Sequence, residues 1–210
     1  KLTALYIQYK GEEPAEIEKI PGAGSNRQYY RFIGKDGESV VGVIGTSRDE
    51  NHAFIYLDRH FQLRQLPVPH ILAVSEDELC YLQTDLGHTS LFDAIRGGRE
   101  AGGRYNQNEQ QLLIKTIRAL PNFQIRGARD LDWKNCYPQP EFDEESVLFD
   151  LNYFKYCFLK ATGLDFHELK LEANFHMFAQ DLTSETSDCF LYRDFQARNV
   201  MLDQEGNPYF

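Results

Sequence analysis

The sequence predicts an α+β protein of two lobes, a strand-rich lobe over residues 1–84 and a mainly helical lobe over residues 85–210. Three observations predict it. Short runs of β-branched and aromatic residues, separated by Gly/Asp turns, crowd the first third of the chain. A single helical period over residues 49–64 interrupts them. Beyond Asp85-Leu86-Gly87 the period turns helical and stays so for most of the remaining residues.

The elements follow in order. Gln28 to Ile33 is rich in aromatic residues and Ser39 to Ile44 in β-branched ones; with the turn Gly34-Lys35-Asp36-Gly37 between them they form a hairpin. From Asp49 to Arg64, the residues Ala53, Phe54, Leu57, His60 and Phe61 recur at helical spacing, and Pro67-Val68-Pro69 closes that helix. Ile71 to Val74 and Glu78 to Thr84 are two further strands around Ser75-Glu76-Asp77. In the second lobe Ser90 to Arg96 suits a short helix, and the glycine-rich stretch Gly97 to Gly103 a flexible loop. Asn108 to Leu120 places Leu112, Leu113, Ile117 and Leu120 on one helix face, with Pro121 directly behind. Glu144 to Ala161 is a long helix whose apolar set is Val147, Leu148, Leu151, Phe154, Tyr156, Phe158 and Leu159, capped by Gly163. Phe166 to Leu182 gives another helix. Strand-like stretches, Phe190-Leu191-Tyr192 and Val200-Met201-Leu202, then flank a polar loop, and the turn Asp203 to Asn207 leads to the final apolar residues. The sequence contains no internal repeat and no low-complexity tract.

Composition bounds the class. With 42% hydrophobic and 26% charged residues over 210 positions, the chain is ordinary for a globular protein and long enough for a substantial core. A net charge of −10 opposes nucleic acid and anionic membrane surfaces, and no basic stripe with interleaved aromatics is present. No segment reaches the roughly 20 apolar residues of a membrane-spanning helix. Cys80, Cys136, Cys157 and Cys189 form neither a C-x-x-C pair nor a metal-finger spacing, which fits a reducing, cytoplasmic setting. The chain begins without methionine and stops at Asn207-Pro208-Tyr209-Phe210, the first residues of a new strand, so it is expected to be cut short.

Three segments carry candidate chemistry. The strongest is Tyr192-Arg193-Asp194-Phe195-Gln196-Ala197-Arg198-Asn199, which has the spacing of the kinase catalytic loop H-R-D-x-x-x-x-N. In such a loop the aspartate meets the hydroxyl that attacks phosphorus, and the asparagine turns back to offer its amide oxygen to a divalent ion. A surface loop that happens to hold Asp and Asn is the plainer alternative. The second segment, Gly22 to Phe32, places Gly24, Ser25, Asn26 and Arg27 before an aromatic strand. It suits a loop folded over phosphates, and equally a simple turn; it is not a P-loop, because no Gly-Lys-Ser/Thr follows. The third, Tyr81 to Gly87, lies where the lobes meet, and its residues alone fit an ordinary linker.

Together and in this order, these segments resemble the aminoglycoside phosphotransferase and choline-kinase-like superfamily over nearly the whole chain. Within it the chain is most similar to kinases that phosphorylate cell-wall amino sugars (N-acetylmuramate, N-acetylglucosamine) at the anomeric hydroxyl. The resemblance is carried by residues 25–31, by Leu66-Pro67-Val68-Pro69-His70-Ile71-Leu72-Ala73, by Asp85-Leu86-Gly87 and by Arg193 to Asn199. It implies a protein-kinase-like fold with an antiparallel β-sheet and one helix in the first lobe, and ATP and Mg²⁺ as cofactors. Asp194 would be the catalytic base or positioning group, Asn199 the metal ligand, and Gly24, Ser25, Asn26 and Arg27 the phosphate contacts. Gln83, Thr84 and Asp85 would form the hinge near adenine, and Arg198 would neutralise charge by the metal. The helix from Glu144 and the segment after it would wall the acceptor site. Asp132, Trp133, Asp150 and Asn152 are acceptor contacts, two of the four being expected to serve structure instead.

Two departures stand out. Tyr192 replaces the histidine of the loop, and Val40-Val41-Gly42-Val43-Ile44-Gly45 lacks the strand lysine that grips nucleotide phosphates. The amino-sugar kinases lack that lysine too, and Arg27 or Arg31 is the candidate substitute. A second metal-binding aspartate would lie just beyond Phe210, so the 210-residue chain is expected to turn over little or nothing. The acceptor expected is an amino sugar. An aminoglycoside, choline or a ketosamine is the alternative, as is a degraded kinase fold that only binds.

Overall fold

The computed structural model describes residues 1–22, 26–185 and 188–210. The first lobe is built on an antiparallel five-stranded sheet in the order β1-β2-β3-β5-β4: β1 Glu16–Ile20, β2 Gln28–Ile33, β3 Ser39–Ile44, β4 Ile71–Val74 and β5 Cys80–Thr84. The expected β2–β3 hairpin forms, with Gln28 opposite Ile44 and Ile33 opposite Ser39. Its turn is closed by Gly37 N–H to the Gly34 carbonyl at 3.0 Å, with Gly37 at φ 81°.

Strand alternation sends the valines of β3 to one of two helices. Val40 faces α1 (Leu2–Lys10), where Leu2, Leu5 and Tyr6 pack with Phe32 and Leu82. Val41 and Val43 face α2 (Arg48–Leu63), where Ile55 and Phe54 pack with Tyr81. At Gly42 an added Cβ would sit 2.7 Å from the Phe32 ring and 2.9 Å from Leu2, so the close approach of α1 to the sheet requires glycine there. The helix α1 is an addition to the one helix expected in this lobe. Helix α2 starts where Ser47 caps it, its side chain accepting from Glu50 N–H at 3.3 Å.

The second lobe contains α3 (Leu91–Ala94), α4 (Arg96–Glu100), α5 (Gln107–Pro121), α6 (Glu144–Phe154) and α7 (Glu168–Thr183), then a two-stranded hairpin of β6 (Met201–Leu202) and β7 (Pro208–Tyr209). The glycine-rich stretch expected as a loop is partly helical. Buried Glu109 explains it: one carboxylate oxygen accepts Gly98 N–H at 2.8 Å, the other Asn106 N–H at 2.9 Å in the capping box of α5. Helix α5 does not stop at Pro121 but runs into a π-helical turn over Asn122–Arg126 that buries Phe123 completely. Its buried residues are Glu109 and Thr116; of the expected apolar face Leu112, Leu113 and Leu120 are half-buried and Ile117 is 59% exposed. The long helix from Glu144 persists through a π-turn at Lys155–Leu159 and a 3₁₀ turn to Gly163 in the left-handed conformation. Only Val147 of its expected apolar set is fully buried; Phe154, Tyr156 and Phe158 are exposed. Buried Lys155 holds α6 and α7 together through Glu168 and Glu172.

An aromatic group joins the lobes. Phe61 of α2 meets Phe123 at 5.4 Å and Phe190 at 5.1 Å; Phe123 in turn meets Tyr192 at 5.9 Å and Phe210 at 4.8 Å. Phe210 N–H also bonds the Pro67 carbonyl at 2.9 Å. This cluster explains why Phe190-Leu191-Tyr192 is not the strand its residues suggest. The stretch is fixed by ring packing and by a backbone bond, Phe190 N–H to the Gln124 carbonyl at 2.9 Å, with no partner strand among the described residues.

Candidate active site

The polar loop between Tyr192 and Val200 is anchored at both ends. Before it, Tyr192 sits in the aromatic cluster, where burial and then the charge of Asp194 push its hydroxyl up to about 12. Tyr192 is therefore a neutral packing residue at the position of the usual histidine. After the loop, Val200 is buried against Leu91, and its carbonyl accepts Leu91 N–H at 2.8 Å. Leu202 N–H bonds the Thr89 carbonyl at 2.9 Å.

Between those anchors Asp194 and Asn199 meet. Asn199 Nδ2 donates to Asp194 Oδ2 at 2.8 Å and to the Asp194 carbonyl at 3.2 Å. Gln196 Nε2 donates to Asp194 Oδ1 at 2.8 Å. With its NH₂ committed to the carboxylate, Asn199 turns its amide oxygen the other way, and that oxygen has no hydrogen-bond partner among the described residues. An exposed carboxylate beside a freely presented amide oxygen is a donor set suited to a hard divalent cation that draws its remaining ligands from phosphates and water. Among the described residues no cluster of three or more His, Cys, Asp or Glu could hold a metal unaided. Gln196, which no sequence signal marked, is the residue that orients Asp194 from its other side.

Arg193 forms an ion pair with Asp150 of α6 and lies over the Phe142 ring at 5.0 Å. Asp150 is thus joined to the loop. Asp132 instead caps the 3₁₀ turn at Trp133–Asn135, its side chain accepting Lys134 N–H at 3.3 Å and its own N–H bonding Tyr56 Oη at 2.8 Å. Asn152 bonds the Leu148 carbonyl one helical turn back at 2.9 Å. Trp133 sits in that same turn, which packs against α2. Arg198 lies over the Phe92 ring at 4.4 Å, a ring that also takes Arg99 at 3.3 Å.

On the first lobe, Gly24 and Ser25 lie outside the described residues, and Asn26 is exposed just beyond them. Arg27 is mostly buried. It pairs with Glu50 of α2 at 3.1 Å and stacks over Phe54 at 5.0 Å. Glu50 and Phe54 as its partners were not legible from spacing. Arg31 is committed elsewhere, to Asp85, and so is set aside as the lysine substitute. Thr84 Oγ1 accepts His70 N–H at 2.9 Å, and Gln83 Oε1 is buried without a hydrogen-bond partner. Two surface hollows, one lined by Lys1, Ser75, Glu76 and Asp77 and one by Leu63, Arg64, Gln65, Arg126 and Arg129, share no residue with this constellation.

Asp58 of α2 bonds the first residue of β4. Its Oδ2 accepts Ile71 N–H at 3.2 Å and Gln62 Nε2 at 2.5 Å, while Oδ1 is buried unpartnered. Burial pushes the carboxyl up to about 6. The folded pKa is above the unfolded one, so the unfolded chain ionises first and stability falls as pH rises from about 4 to 6. Asp58→Asn is expected to leave stability near wild type below pH 4 and to raise it by about 1 kcal/mol at pH 8, read from denaturant melts at both pH values. Equal effects at the two pH values would refute the assignment.

No curated protein matches the chain. Among solved structures, one titled as the crystal structure of aminoglycoside-3'-phosphotransferase of type VIII is similar over 99% of this chain and 74% of its own, at 14% identity and a TM-score of 0.46. A family model matches as well: the phosphotransferase enzyme family covers residues 16–210, from the first strand through the Asp194–Asn199 loop. The chain belongs to the phosphotransferase enzyme family.

Proposed function

We propose that the protein transfers the γ-phosphate of ATP, with Mg²⁺, to a hydroxyl of a small metabolite, an amino sugar by preference. The observation that carries this reading is the Asp194–Asn199 pair, a carboxylate and an outward amide oxygen held by one hydrogen bond at 2.8 Å. Asp194 Oδ atoms are positioned to accept the proton of an acceptor hydroxyl, and Gln196 fixes the carboxylate plane. Asn199 would hold the cation through its amide oxygen, while its NH₂ holds Asp194. ATP with Mg²⁺ supplies the phosphoryl group and neutralises the charge that develops on it. Catalysis of this kind is mostly positioning and electrostatics, so a fixed cation near the phosphates is needed.

Arg27 fills that role in place of the strand lysine. It lies on the sheet face that α2 covers, and its pairing with Glu50 of α2 reproduces in kind the lysine–glutamate pair of protein kinases. Arg27→Ala is expected to lower kcat/KM for ATP about 10²-fold, and Arg27→Lys less, because lysine keeps the charge and loses the fork and the stack. Steady-state kinetics with ATP as the varied substrate checks this. An unchanged kcat/KM in Arg27→Ala removes Arg27 from the phosphate site.

Amino sugars are preferred because residues 25–31, 66–73, 85–87 and 193–199 resemble those of amino-sugar kinases. An assay of ADP release by the full-length protein, across amino sugars, aminoglycosides, choline and ketosamines, identifies the acceptor. Release that depends on an amino sugar supports the reading. Release with a different acceptor reassigns the substrate class. Silence without nucleotide binding points to a module that only retains the fold.

A further inference from the structure

We propose that Arg31, Asp85 and His88 form a latch that fixes the connector between the lobes in the shape the nucleotide site requires. This rests on the phosphotransferase reading above. Arg31 stands in the middle of β2, 54 residues before Asp85, and its side chain is 9% exposed. It distributes its donors over three connector positions. Nε and Nη2 bond the two oxygens of Asp85 at 2.5 and 3.1 Å, Nη2 also bonds the Gly87 carbonyl at 2.9 Å, and Nη1 meets His88 Nδ1 at 3.0 Å. Glu18 of β1 approaches the same Nη1 at 3.7 Å.

Asp85 is equally committed. Its side chain is 6% exposed and also accepts Ser39 Oγ at 2.7 Å and Gly87 N–H at 2.9 Å. Burial alone pushes its carboxyl up, but the bonds from Arg31, Ser39 and Gly87 outweigh that and hold it below the ordinary range. No oxygen of this carboxylate remains for a ligand, so Asp85 acts on the nucleotide site through the connector and not by touching it. Gly87 supplies the bend at φ 85°. Because arginine only donates, His88 must accept at Nδ1 and carry its proton on Nε2.

A plain stabilising ion pair needs only Arg31 and Asp85. Here one guanidinium binds positions 85, 87 and 88 at once, and the N–H of Leu86 between them has no hydrogen-bond partner among the described residues. The latch thus holds an open backbone donor at the junction of the lobes, where the edge of a nucleobase can accept from it. Arg31 and Asp85 are positioning residues in this account.

The test is Mg²⁺–ATP affinity measured by calorimetry on the full-length protein, with melting temperature read alongside. His88→Ala removes one bond from an exposed position and is expected to weaken ATP binding about fivefold with little change in melting temperature. Arg31→Lys keeps the charge opposite Asp85 but cannot span all three positions, and is expected to weaken binding tenfold or more. Lys35→Ala, whose ion pair with Glu12 at 3.1 Å involves no residue of the latch, is expected to keep wild-type affinity. If the wild type binds ATP and His88→Ala and Arg31→Lys bind it equally well, the latch is a stability feature and the inference fails alone. If the wild type binds no ATP, the phosphotransferase reading fails and the inference with it.

Discussion

Asp194→Asn is expected to lower kcat by about 10³-fold while the protein stays folded. The side chain is exposed on its loop, and its replacement has the same shape, so the effect on stability should be small. What changes is chemistry. The two carboxylate oxygens now face donors from both sides, Gln196 Nε2 and Asn199 Nδ2. An amide at position 194 puts its own NH₂ against one of them, loses that contact and can no longer accept a proton. Comparison of kcat and melting temperature in the two proteins decides the matter. A wild-type kcat would end the role of Asp194, and a collapsed melting temperature would mean that the loop is structural.

Asn199→Ala is expected to cost about 10²-fold in kcat and to raise the Mg²⁺ concentration needed for half-maximal rate. Two functions leave with one side chain: the oxygen offered to the cation, and the NH₂ that holds Asp194 through its carboxylate and its carbonyl. Asn199→Asp separates them. It restores an oxygen ligand but sets a second carboxylate against Asp194 across a 2.8 Å contact. Two carboxylates that close share a proton, and one apparent pKa rises. The rate of this variant should therefore climb with pH further into the alkaline range than that of the wild type. A wild-type Mg²⁺ dependence in Asn199→Ala, together with a wild-type pH–rate profile in Asn199→Asp, would exclude the proposed role.

The strands β2 to β5, the helix α2 and the turn of the loop that brings Asp194 and Asn199 together were legible because each is specified locally. Gln28 to Ile33 and Ser39 to Ile44 alternate around a glycine turn, and the pairing follows from that pattern. The loop from Arg193 to Asn199 carries its geometry in six residues of spacing. What escaped the sequence is what depends on distant partners. Strand β1 is a polar edge strand with four exposed positions, so burial imposes no alternation on Glu16–Ile20. Helix α4 exists because Glu109 reaches back to Gly98, and Gly98 can pack beneath Tyr105 only without a side chain. Phe190 to Tyr192 has the composition of a strand, but the aromatic cluster claims it. At the site, Arg27 and Arg31 were equal candidates on paper. Their separation came from Glu50 and Asp85, 23 and 54 residues away.

The family places phosphoryl transfer in the right class, and the central claim is that Asp194 directs it to an acceptor hydroxyl. The most direct test incubates the full-length protein with ATP labelled at the γ-phosphate, Mg²⁺ and an amino sugar, and follows where the label goes. Label covalently attached to the sugar, falling about 10³-fold in Asp194→Asn, is the predicted result. Label released only as inorganic phosphate, or transferred to the sugar equally well by Asp194→Asn, would contradict it.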